Sequence, residues 1–141
     1  MTNKSVLALV VSSSGPLQDG LLALMTTIPQ IGAVLVAEDI ESALRMVTNH
    51  QPALIILDIS LPVMHDVINQ IKEQCPHIHM TILVEDITQQ KETLTSGADS
   101  VLLKGFPPQK LIEIVENHID LERSNSSIHT NQKGGRTNET A

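Results

Sequence analysis

A chain of 141 residues is the size of one domain, with room for a proper core. Hydrophobic residues make up 41% of it, yet there is one Phe and no Trp or Tyr, so that core must be aliphatic. The net charge is −7, and residues 1–121 set six Lys and Arg against fourteen Asp and Glu, or −8, a balance that argues against binding nucleic acid. The single Cys75 excludes an intrachain disulfide and fits a reducing, cytoplasmic setting. The run Val6 to Val11 after Lys4 is shorter than the usual signal h-region of about 7–15 residues and reads better as a strand. No stretch is long enough to cross a membrane.

Strand and helix signals then alternate. After the first strand, Gly15-Pro16 opens a helix with Leu17, Leu21, Leu24, Met25 and Ile28 at helical spacing. Pro29 and Gly32 end it, and Ala33 to Ala37 form a second strand. Asp39 is a plausible N-cap for a helix that turns Ile40, Ala43, Leu44 and Val47 inward. Pro52 precedes a third strand that ends at Asp58, and a third helix runs from about Met64 to Glu73. A fourth strand spans about Met80 to Val84, and a short helix from about Thr88 stops at Gly97, a natural left-handed cap. Ser100 to Leu103 is the fifth strand; Pro107-Pro108 begin the last helix, with Leu111, Ile112, Val115 and Ile119 facing in. Five such units with short connections mean a parallel sheet covered by helices on both faces. From Ser124 onward aliphatic residues almost vanish. Residues 1–122 are therefore expected to form the domain and 123–141 a disordered polar tail.

Asp58 is the candidate site residue. The run Leu54-Ile55-Ile56-Leu57 shows no alternation, as expected of a strand buried on both faces. Such sheets place ligand and reaction sites beyond the carboxyl ends of their strands, where this carboxylate falls. As a lone turn-opening residue, Asp58 would not need the most apolar strand of the chain before it.

The chain from about Val6 to Ile119 resembles the response-regulator receiver domain of two-component signalling. The resemblance rests on Leu57-Asp58 with Leu61-Pro62 after it, Gly97-Ala98-Asp99, and Lys104 at the end of the fifth strand. The stretches Asp19 to Leu24 and Ala37 to Leu44 are further like receivers that carry a helix-turn-helix output domain. It implies a flavodoxin-like, doubly wound sheet of strand order 2-1-3-4-5, with Asp58 as phosphoacceptor and Lys104 contacting the phosphate. It also implies two acidic residues after the first strand that hold Mg²⁺ and neutralise charge during phosphoryl transfer. Aligned back from Asp19-Gly20-Leu21, that pair falls on Ser12 and Ser13, poor ligands for a hard cation. The family's switch hydroxyl falls on Val84 and its aromatic on Val101, and Gly105 replaces the proline that follows the lysine.

The expectation is a stand-alone atypical receiver, not an enzyme. It would act by protein contact in a phosphorelay, with phosphorylation at Asp58 absent or inefficient and Mg²⁺ bound weakly. A sensor histidine kinase or other signalling protein is the implied partner, with a homodimer through the fourth helix, fifth strand and fifth helix. One alternative is a functional phosphoacceptor with a modified Mg²⁺ site. Another is a sensor of a small phosphorylated ligand held by the Ser12-Ser13-Ser14-Gly15 turn at a helix N-terminus. A flavin is disfavoured there because only Phe106 could stack on it. Glu38, Asp39, Glu85 and Asp86 read as solvated loop acids and caps rather than metal ligands. His77 and His79 read as surface histidines without a third ligand, and Cys75 as an inert thiol.

Overall fold

A computed structural model of the chain describes residues 6–13, 15–58 and 64–131. Strands and helices alternate as β1 (Val6–Val11), α1 (Pro16–Met25), β2 (Ile31–Ala37), α2 (Ile40–His50) and β3 (Leu54–Asp58). The second half continues as α3 (Met64–Gln74), β4 (His79–Val84), α4 (Ile87–Thr95), β5 (Ser100–Leu103) and α5 (Pro108–Asn131). All strand pairs are parallel, in the order β2-β1-β3-β4-β5. This is the doubly wound, flavodoxin-like sheet that the resemblance implies.

Two aliphatic layers hold it together, and the two-residue period of each strand assigns side chains between them. Leu9, Val11, Ile55, Leu57, Ile82 and Val84 pack with Ala43 and Val47 of α2 and Val67, Ile68 and Ile71 of α3. Their neighbours Ala8, Val10, Leu54, Ile56 and Leu83 pack on the other face, with Leu21 and Met25 of α1 and Leu111, Val115 and Ile119 of α5. The central strands are buried on both faces, which is why β3 reads as an unbroken apolar run.

Several boundaries differ from expectation for local reasons. The first helix ends at Met25, not at Pro29, because Thr26 and Thr27 turn their hydroxyls back to donate to the carbonyls of Ala23 and Leu24, each at 2.7 Å. Strand β2 starts at Ile31 and includes Gly32, which the pairing skips: Val6 faces Ile31 and Leu7 faces Ala33. Gly32 thus sits as an extra residue in the edge strand rather than as a helix terminator. The Asp39 cap is as expected, its carboxylate accepting from Ser42 N at 2.7 Å. Gly97, at φ +116, follows the last turn of α4. Helix α5 runs through Asn131, and no Gly or Pro interrupts the chain between Pro108 and Gly134. No helix among the described residues is long and apolar enough to cross a membrane.

Candidate functional site at the carboxyl edge of the sheet

The direction of winding reverses between β1 and β3, and this opens a crevice beyond their carboxyl ends. The register fixes what lines it. Val11 pairs with Leu57, so the next residues, Ser12 and Asp58, stand side by side. Val84 pairs with Leu103, bringing Glu85 and Lys104 to the same edge.

The side chains close into a small polar cluster. Lys104 Nζ lies 2.7 Å from Asp58 Oδ1 and 3.3 Å from Glu85 Oε2. Ser12 Oγ is placed to donate to Asp58 Oδ2 at 3.3 Å and to the Ser13 carbonyl at 3.1 Å. Gln18 Nε2 donates to the Ser12 carbonyl at 2.8 Å, and Ser12 N donates to the Ala37 carbonyl at 3.0 Å. Ser12 is buried by these contacts, whereas Ser13 is exposed. The Asp58 side chain is 12% exposed and Lys104 26%, so the pair is only partly screened by water. Partial burial pulls the Lys104 ammonium toward a lower pKa, but its pairing with Asp58 and then Glu85 outweighs this and leaves it raised.

The groups in contact with Asp58 are the Ser12 hydroxyl and the Lys104 ammonium, with the Glu85 carboxylate on the far side of the lysine. No group of three or more His, Cys, Asp and Glu side chains suited to a metal occurs among the described residues. Mg²⁺ favours carboxylate oxygens in a near-octahedral shell, a description that Ser12 and Ser13 do not fit. Val84 is buried in the α2–α3 layer, and Val101 packs against the same layer. Both positions are filled by aliphatic packing. Gly105 takes φ +91, a value forbidden to proline. Leu61, Pro62 and Ser14 lie outside the described residues.

The other sequence candidates separate in space. Glu38 is exposed, and Asp39 and Asp86 cap α2 and α4. Glu85 corrects the expectation of a merely solvated acid: 62% exposed, it is nonetheless held by the site lysine. Sequence spacing gave no hint, because the pairing depends on the β4–β5 register. His77 is exposed as expected, but His79 is half-buried against His118 of α5. Cys75 is buried, with its Sγ 3.5 Å from the Pro52 carbonyl, and burial raises its thiol pKa.

Residues 9–116 match the family model of the response regulator receiver domain, and the chain belongs to that family. Among solved structures, it is similar to a putative response regulator from Chloroflexus aurantiacus. The identity is 22% and the TM-score 0.73, with 83% of this chain and 99% of that one covered. It is also similar to the receiver domain of a Pseudomonas aeruginosa sensor histidine kinase with a magnesium ion coordinated in its active site cleft. There the identity is 21% and the TM-score 0.71, with coverage of 82% and 98%. The receiver domain of the response regulator AraT from Geobacillus stearothermophilus gives 24%, 0.72, 85% and 98% in the same terms. No curated protein matches the chain.

Proposed function

We propose that this chain is an atypical receiver that signals through protein contact, with no enzymatic activity of its own and with phosphorylation at Asp58 absent or inefficient. One observation carries the reading: Asp58 is flanked by the hydroxyl of Ser12, where the family has carboxylates, and is paired with Lys104 at 2.7 Å. Phosphoryl transfer needs a divalent cation to neutralise developing charge, and Asp58 beside two serines, with Glu85 turned to Lys104, would bind Mg²⁺ weakly. The domain carries the function; the residues after 122 are ascribed no part in it.

The partner is a sensor histidine kinase or another signalling protein, and the setting is cytoplasmic. The face made by α4, β5 and α5 is the proposed contact, for this partner or for a second copy. Ile87 (69% exposed), Leu94 (48%) and Leu103 (36%) lie on α4 and the edge strand β5 and support that choice.

Incubation with acetyl phosphate and millimolar Mg²⁺, followed by intact-mass measurement, tests the reading. The expected result is little or no phosphoryl adduct. A near-stoichiometric adduct that disappears in Asp58→Asn would replace it with the reading of a working phosphoacceptor.

A further inference from the structure

With Val84 and Val101 packed as aliphatics, no hydroxyl–aromatic pair at these two positions, among the described residues, links Asp58 to α4. A different set of contacts spans that distance. Lys104 Nζ bridges Asp58 Oδ1 at 2.7 Å and Glu85 Oε2 at 3.3 Å. Glu85 in turn is fixed to the first turn of α4, its backbone N–H donating to Gln89 Oε1 at 2.8 Å. Gln89 N donates to the Asp86 cap at 3.1 Å, and Gln90 N to the Asp86 carbonyl at 3.3 Å. The path from Asp58 to α4 is therefore continuous: carboxylate, ammonium, carboxylate, backbone, helix cap.

We propose that Glu85 couples Asp58 to α4 by competing with it for Lys104. This rests on the reading of Asp58 and Lys104 as the signalling site, and adds the route by which that site reaches the α4 surface. One ammonium serves two carboxylates. Added negative charge at Asp58, from a phosphoryl group or a bound anion, draws Lys104 toward it and repels Glu85. Glu85 is exposed enough to swing into water, which frees the turn before Ile87. Removing charge at Asp58 has the opposite effect: Lys104 turns wholly to Glu85 and the turn tightens. The raised pKa of Lys104 agrees with an ammonium held by two carboxylates. Because Glu85 is largely exposed, the device biases the first turn of α4 rather than locking it.

Amide hydrogen exchange by NMR on the full chain tests the coupling, read at Glu85, Gln89 and Gln90. Glu85→Gln should speed exchange there a few-fold, and Asp58→Asn should slow it. In a Lys104→Gln background both effects should vanish, and high salt should shrink the first. Unchanged exchange in Glu85→Gln, or an effect that persists without Lys104, would overturn the proposal, the latter because it would make Glu85 a local loop residue only. Neither variant experiment requires Asp58 to be phosphorylated. The acetyl-phosphate result therefore bears on the atypical-receiver reading alone, and the exchange result on Glu85 alone.

Discussion

The imidazoles of His79 and His118 pack with ring centroids 4.5 Å apart and planes inclined by 41°, at the end of the sheet opposite Asp58. His79 Nε2 also lies 3.2 Å from Ser100 Oγ. Burial, and next the neighbouring His118, push the His79 pKa down from 6.5 to about 4, against the opposing pull of Asp99; Lys72 adds to the depression. The folded state thus resists a proton that the unfolded chain accepts. The stability this confers is fully present above pH 6.5 and is lost as the pH falls toward 4. The full linkage would be about 3 kcal/mol, which solvent screening of a half-buried ring reduces to about 1–2 kcal/mol. Urea unfolding of the wild type and of His79→Gln across that range should show a steeper loss in the wild type. Parallel curves would mean that His79 titrates normally.

The same layer holds a second polar oddity. Thr81 is fully buried on β4, two residues from His79 and so on the same side of the sheet, and its Oγ1 has no hydrogen-bond partner. An unpaired buried hydroxyl costs about 1–3 kcal/mol relative to a paired one. Thr81→Val exchanges it for a methyl of similar shape and should raise stability by about 1 kcal/mol. A drop in the urea midpoint would mean that the hydroxyl is satisfied, by a buried water for example.

The contrast between the two ends of the sheet explains what the sequence made legible. Strands buried on both faces leave unbroken apolar runs, so β1 and β3 could be read from their patterning alone. Asp58 stands out because it follows such a run, whereas Lys104 stands out only through the resemblance to receiver domains. Glu85 does not stand out, since its partner comes from a neighbouring strand and only the register brings them together. Nothing in the sequence marks His118, because its burial depends on where α5 packs against His79 of β4. The Ser12 hydroxyl was identified, but not its contact with Asp58, for the same reason. Local patterning encodes elements; contacts between elements need the packed sheet.

The end of α5 gives a separate test. The backbone is helical through Asn131. The segment from Ser124 contains Ile128 as its one large aliphatic, so ordering it costs entropy with little burial in return. Deleting Ser124 to Ala141 should leave the melting temperature nearly unchanged. A loss of several degrees would show that the last turns of α5 dock on the domain.

The strongest test of the proposed atypical reading is to add the missing type of ligand. Ser12 is buried and its Oγ stands 3.3 Å from Asp58, so Ser12→Asp would set a second carboxylate against the first. Ser13→Asp would add a third from an exposed position. One ammonium, Lys104, cannot neutralise all three, and like charges at such distances repel. Without metal, the double variant should be less stable than the wild type by about 1–3 kcal/mol. Mg²⁺ would relieve the repulsion, and a cation that binds only the folded state stabilises it by mass action. Millimolar Mg²⁺ should therefore raise the melting temperature of the double variant by several degrees and leave the wild type almost unmoved. Equal Mg²⁺ stabilisation of both proteins would mean that Ser12 and Ser13 are not what weakens the site, and would favour a working phosphoacceptor that binds its metal in another way.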